Sequence, residues 1–262
     1  MRVRSNAPPA SGLGSSAALG VAAIGALVRY CGGHLLPHEI ARESQLLEVE
    51  NLKLECGVQD QLASAYGGVN FMEVQYPNAW IFPIHLEPSM MCEIQDRFVL
   101  IFTGKSHFSS GMHQKVNAEV DQHRDDFDTL AEAAVAGKEA LLAGDFNAFG
   151  AAMNANWSAQ KRLHTDITTP EIEALHDAAF RVGALGFKAN GAGGGGTVTI
   201  LADRNRAHRV GRVAQELGMT VLPALDRYHR PSGLESGVAR KCTGDDLRAP
   251  CLIKSPTRRM SP

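Results

Sequence analysis

An excess of charge of one sign is missing from this chain: its 262 residues carry a formal net charge of -2, with both signs spread along the sequence. That gives no electrostatic footprint for nucleic acid, so an anionic ligand would have to be held by local geometry. Aromatic residues are sparse too, at 6%. The five cysteines, Cys31, Cys56, Cys92, Cys242 and Cys251, form no C-x-x-C pair and are odd in number. This argues against a disulfide framework and against a structural zinc site, and it suits a reducing cytoplasm. No apolar run reaches the length of a membrane span, and Met1-Arg2-Val3-Arg4 is not followed by the apolar stretch of a signal peptide. The chain reads as a soluble, untargeted protein, long enough for one compact body with two lobes.

What is present in quantity is glycine, concentrated in two places. Residues 8–18 read Pro8-Pro9-Ala10-Ser11-Gly12-Leu13-Gly14-Ser15-Ser16-Ala17-Ala18, a turn running straight into an alanine-rich helix. Gly12 and Gly14 permit backbone conformations closed to residues with a Cβ, and the first N–H groups of the following helix have no intrahelical acceptors. An anion such as a phosphate fills that gap. The plain alternative is a solvated helix start capped by Ser15 or Ser16. No Gly-Lys-Ser/Thr follows and the G-x-G-x-x-G spacing is absent, so this is neither a Walker A loop nor a dinucleotide fingerprint.

Along the chain, Ser15–Tyr30 reads as a buried helix with Leu19, Ala22, Ala23, Ala26 and Leu27 at helical spacing. A second helix starts near Pro37. A short helical pattern, Leu62–Tyr66, follows Cys56-Gly57-Val58-Gln59-Asp60-Gln61, and strands are expected at Val69–Val74, Trp80–Leu86 and Arg97–Phe102, the first two joined by a Tyr76-Pro77-Asn78 turn. From about His113 to Gly186 the pattern is helical, broken at Gly137, Gly144-Asp145 and Thr165–Thr169, with Thr169-Pro170-Glu171 as a helix start. Asn190-Gly191-Ala192-Gly193-Gly194-Gly195-Gly196 then leads into a strand at Thr197–Leu201, a helix at about Arg204–Leu217 and a short strand at Thr220–Leu222. The expected class is α+β, with helices on one face of a sheet and a frayed tail from Arg240 to Pro262.

Asp60 stands at the start of a short helix. There it serves either as a capping residue or, with its carboxylate kept ionised by the helix dipole, as a partner for a hydroxyl nucleophile. Glu48 and Glu50 read as solvated charges or as a magnesium carboxylate, since magnesium takes one or two carboxylates plus phosphate oxygens. The run Gly191–Gly196 is either a flexible turn or a stretch where backbone passes close to a ligand or another element. His107, His113, His123 and His164 lack metal-ligand spacing and receive no role.

Together, Pro9-x-x-Gly12-Leu13-Gly14-Ser15-Ser16-Ala17-Ala18, Gly57-Val58-Gln59-Asp60-Gln61 and Lys188-x-x-Gly191-Ala192-Gly193-Gly194-Gly195-Gly196 resemble the superfamily of galactokinase, homoserine kinase, mevalonate kinase and phosphomevalonate kinase (GHMP). Within it, Glu48-Val49-Glu50, Tyr66-Gly67-Gly68-Val69-Asn70-Phe71 and Phe102-Thr103-Gly104-Lys105-Ser106 resemble the D-glycero-D-manno-heptose 7-phosphate kinases. The likeness runs over about residues 6–239.

The resemblance implies a two-lobe GHMP kinase-like fold of mixed and antiparallel sheets with helices. Residues 1–88 would form a partial N-terminal lobe, 89–239 a C-terminal lobe and 240–262 a flexible tail. It implies that Pro9, Ser11, Gly12, Leu13, Gly14, Ser15, Ser16 and Ala17 wrap the phosphates of ATP, that Gly193 and Gly194 lie against the nucleotide region, that Ser16 and Glu48 hold Mg2+, and that Asp60 is the catalytic carboxylate. The implied acceptor is the C1 hydroxyl of a heptose 7-phosphate, for nucleotide-activated heptose and surface polysaccharide. Fucose or galactose would use the same phosphate machinery, and a non-catalytic nucleotide-binding fragment is the rival from another class. Superfamily members carry a longer segment before the phosphate loop, with substrate contacts and a basic residue beside the aspartate. A sheet without it would expose strand edges and favour pairing with another chain, a homo-oligomer included.

Overall fold

The computed structural model describes residues 2–3, 5–54, 56–75, 78–105, 116 and 120–223. His107, His113, the start of the helical stretch near 113, Tyr76 and Pro77 of the expected turn, Cys242, Cys251 and the tail from 240 lie outside the described residues.

The first part of the chain is a helical cluster followed by a hairpin. Helix α1 spans Ser15–Tyr30, α2 spans Pro37–Leu46 and α3 spans Gln59–Tyr66; the three pack on one another. Proline at the first position of α2 needs no N–H acceptor there, and Glu39 accepts from the Leu36 N–H at 2.6 Å. Helix α2 runs into a single π-helical turn, Leu47–Asn51, a geometry that concentrates at functional sites. Strands β1 (Asn70–Gln75) and β2 (Asn78–Pro83) pair antiparallel, Asn70 opposite Pro83.

Helix α1 is not the buried helix its composition suggested. Only Ala17 is buried, while Leu19 and Leu27 stay 46% and 53% exposed. The small-residue side is the packed one: a Cβ on Gly20 would collide with the hydroxyl of the fully buried Ser44 on α2. Apolar composition alone does not say which face of a helix meets its neighbours.

The second part is a layer of helices on an antiparallel sheet. In chain order it contains α4 (Pro88–Arg97), β3 (Phe98–Phe102), α5 (Arg124–Ala143), α6 (Phe146–Arg162), a 3-10 turn (Thr165–Ile167), α7 (Pro170–Arg181), β4 (Ala184–Ala189), β5 (Thr197–Ala202), α8 (Ala207–Glu216) and β6 (Thr220–Leu222). The sheet order is β4-β5-β3-β6, every pair antiparallel. Trp157, Phe187, Ile101, Ile200 and Leu175 are fully buried in the core between sheet and helices. Each contributes about 1.5–3 kcal/mol through lost apolar exposure.

Three expectations change here. Gly137 does not break a helix: α5 runs through it to Gly144, because packing against Phe149 and Ala152 of α6 outweighs the roughly 1 kcal/mol helix cost of a glycine. Helix α7 ends at Arg181 rather than Gly186, and Ala184–Ala189 is a strand. Gly183, at φ +109, turns the chain, and Gly186 lets α6 approach, since a Cβ there would stand 2.8 Å from the Gly150 Cα. Helix α4 carries no strong apolar periodicity and was not anticipated. The expected start of α7 does form, with the Thr169 hydroxyl accepting from the Ile172 N–H at 3.3 Å. Among the described residues no helix is long and apolar enough to cross a membrane.

Candidate functional site

The loop before α1 holds three left-handed residues in five: Ala10 at φ +52, Gly12 at +75 and Gly14 at +63. For the alanine this costs about 1–2 kcal/mol, a strain of the kind stored at functional sites. Gly14 occupies the cap position of α1 and no side chain caps the helix, so the capping role expected of Ser15 or Ser16 does not arise. The first N–H bonded within the helix is that of Ala18, to the Gly14 carbonyl at 2.9 Å. Ser11 and Ser15 each bury a hydroxyl that has no hydrogen-bond partner among the described residues. Orphaned polar groups are costly unless something else satisfies them, and oxygen atoms of a bound anion would. Leu13 is half-buried beside them, Pro9 is exposed at the loop's start and Ala17 is buried in the first helical turn.

The second glycine run is a close approach of backbone to backbone, which decides between its two readings. A Cβ on Gly12 would lie 2.8 Å from the Asn190 carbonyl oxygen, one on Gly191 would lie 3.1 Å from the Gly12 Cα, and one on Gly196 would lie 2.6 Å from the Ser11 carbonyl oxygen. Gly193 and Gly194 face elsewhere: the Gly194 N–H donates to the Ile167 carbonyl at 2.7 Å, and a Cβ on Gly193 would stand 2.5 Å from that oxygen. So the pair expected at the nucleotide packs on the 3-10 turn, while Gly191 and Gly196 touch the loop before α1. Gln160 of α6 ties the run down, donating to the Gly191 carbonyl at 2.9 Å and accepting from Lys188 Nζ at 2.7 Å. Burial pushes the Lys188 ammonium down to about 8.

Asp60 is the second residue of α3 and is not its cap, a position held by Val58. Its exposed carboxyl faces the glycine loop before α1: a Cβ on Gly14 would meet Asp60 Cγ at 3.0 Å and Oδ2 at 3.1 Å. Glu48 and Glu50 part company. Glu50 is exposed, whereas the π-helical turn places Glu48 inside, where it accepts from the Ser16 hydroxyl at 2.5 Å and from Gln61 Nε2 at 2.8 Å. Gln61 also donates to the Cys56 sulfur at 3.7 Å. Burial, then the hydrogen bond and charge of Glu48, push the Cys56 thiol up to about 11, so it stays protonated at neutral pH.

Among the described residues no three His, Cys, Asp or Glu side chains converge as a metal site. A buried carboxylate with a hydroxyl beside it, and no ion-pair partner among the described residues, nevertheless fits a magnesium ion whose shell is completed by phosphate and water oxygens. Sequence reasoning missed Gln61, Gln160 and Thr197. Gln61 follows Asp60 in the same motif and turns to the opposite, buried side of α3; Gln160 left no local signal.

With two glycine loops, a helix N-terminus and a carboxylate assembled, the sequence pattern of the GHMP kinases N terminal domain matches residues 1–68, and that of the GHMP kinases C terminal matches residues 138–218. The chain belongs to the GHMP kinases. Like its family neighbours it combines helices with antiparallel sheet. This GHMP kinase is similar to a D-glycero-alpha-D-manno-heptose 7-phosphate kinase from Campylobacter jejuni, 29% identical over 79% of this chain and 62% of the relative. It is also similar to a bifunctional fucokinase/GDP-fucose pyrophosphorylase from Arabidopsis thaliana, 30% identical over 75% of this chain and 19% of that protein. A solved D-glycero-D-manno-heptose 1-phosphate kinase from Bacteroides thetaiotaomicron superposes with a TM-score of 0.66 at 26% identity, covering 83% of this chain and 61% of its own. The chain thus spans about three-fifths of the heptose kinases that it matches.

Proposed function

We propose that this chain carries the phosphoryl-transfer machinery of an ATP-dependent sugar kinase, and that its acceptor is the C1 hydroxyl of D-glycero-D-manno-heptose 7-phosphate. The observation that carries the reading is the meeting, at Gly14, of an anion-ready helix N-terminus with the Asp60 carboxylate, beside the Glu48–Ser16 pair. The N–H groups of the Gly12–Ala17 segment bind and neutralise the oxygens of the transferred phosphoryl group. Ser16 and Glu48 hold magnesium, which when bound offsets the charge of the phosphates. Asp60 accepts or orients the proton of the attacking C1 hydroxyl. The sugar oxygen bonds to the γ-phosphorus as the bond to the ADP oxygen breaks, and the proton leaves to the carboxylate side.

In this reading residues 1–88 supply the phosphate loop and Asp60, and 89–239 supply the glycine run that backs the loop. Similarity to heptose phosphate kinases favours the heptose acceptor, and similarity to a fucokinase makes fucose the next sugar to test. A cytoplasmic setting suits an ATP-using protein whose Cys31 and Cys56 are free thiols. The test of the mechanism is Asp60→Asn. Turnover is expected to fall about 100- to 10,000-fold while ATP affinity stays within about twofold, and an unchanged rate would sink the role of Asp60.

A further inference from the structure

Thr197 opens β5 and is fully buried, in a strand whose other residues are mostly aliphatic. A valine has the same shape and no hydroxyl to desolvate, so the hydroxyl must be satisfied to be tolerated there. It donates to the Ser11 carbonyl at 2.9 Å and accepts from Asn190 Nδ2 at 3.0 Å. Asn190 Oδ1 in turn accepts from the Thr199 hydroxyl at 3.0 Å. The chain has one direction. A carbonyl can only accept, so the single proton of Thr197 goes to Ser11; Thr197 must then accept, which fixes the amide face of Asn190 and leaves its oxygen for Thr199.

The end of this relay is the strained part of the phosphate loop, between Ala10 and Gly12. The Ser11 carbonyl and the Gly12 N–H belong to one planar trans peptide and point in opposite directions. Anchoring the carbonyl on β5 therefore aims the Gly12 N–H away from the sheet, toward the side on which a nucleotide would lie. The anchor is independent of the backbone contact at Gly191, because it comes from the strand itself.

We infer that Thr197, held by Asn190, is a positioning residue for nucleotide binding: it latches the phosphate loop in the conformation that presents its amide donors. The inference rests on the nucleotide reading of the loop. It makes ATP affinity, rather than the chemical step, depend on a hydroxyl one element away from the ligand.

The test pairs amide hydrogen exchange over residues 9–17 of the nucleotide-free chain with titration by ATP, for Thr197→Val, Thr197→Ser and Asn190→Ala. In Thr197→Val the loop is expected to exchange about tenfold faster and to bind ATP about tenfold more weakly, with kcat changed less than about threefold. Thr197→Ser keeps the hydroxyl and should restore both. If Thr197→Val does not fold, Asn190→Ala, which leaves the Thr197 hydroxyl in place and removes both its donor and the acceptor of Thr199, carries the same expectation. Unchanged loop exchange in a folded Thr197→Val or Asn190→Ala overturns the latch, as does faster exchange with unaltered ATP affinity. Should the unaltered chain fail to bind ATP, the nucleotide reading falls, and the exchange data still decide whether the latch exists.

Discussion

Gly12→Ala separates the two demands placed on the glycine loop before α1, its backbone conformation and its contact with Asn190. At φ +75 the substitution forces an alanine into the left-handed region, about 1–2 kcal/mol. Its Cβ would also stand 2.8 Å from the Asn190 carbonyl oxygen, a backbone atom unable to swing aside, so the two loops must part by some tenths of an ångström. Overpacking of that kind costs about 1–3 kcal/mol. Gly32→Ala is the control: its φ is +77, and a Cβ there meets nothing within 4 Å, so it carries the conformational cost alone. Thermal unfolding should show a drop on the order of 5–15 °C for Gly12→Ala and clearly less for Gly32→Ala, at 2–4 °C per kcal/mol for a chain of this size. ATP affinity should fall about 10- to 100-fold in the first and stay unaltered in the second. Equal destabilisation by the two changes, with normal ATP binding by Gly12→Ala, would refute the contact between the loops.

Two further expectations follow from the same site. Glu48→Gln keeps a side chain able to bond Ser16 and Gln61 but removes a buried charge; the half-saturating magnesium concentration for turnover should rise at least about tenfold while metal-free stability holds or improves, and an unchanged magnesium requirement would count against Glu48 as a ligand. Lys188, lowered by burial to about 8, gives up its proton in the folded chain while the unfolded chain keeps it up to the ordinary lysine value of 10.5, so stability gains a contribution as pH rises between those values. Urea unfolding across that range should show the gain in the unaltered protein and lose it in Lys188→Met.

The turn before α1 was legible in the sequence because glycine spacing and a helix start are local facts, and the structure realises both at Gly12 and Gly14. Strand β5 and the cap at Thr169 were legible for the same reason. Strand β4 was not, because Ala184–Ala189 carries a glycine, Gly186, whose purpose lies in another element, the approach of α6 at Gly150. Burial of Glu48 was hidden as well: a π-helical turn rotates the register by one residue, and helical spacing cannot anticipate it. Thr197 read simply as a β-former. Its hydrogen bond to Ser11 spans 186 positions, a separation at which pattern reasoning has nothing to work with.

The most direct test is ADP release by this chain in magnesium and ATP with D-glycero-D-manno-heptose 7-phosphate, run beside fucose, galactose and mannose. Turnover with the heptose phosphate well above the other sugars is the expected result. Preference for another sugar would keep the phosphoryl-transfer chemistry and contradict the heptose acceptor, and no ADP release with any of the four would contradict kinase activity in this chain.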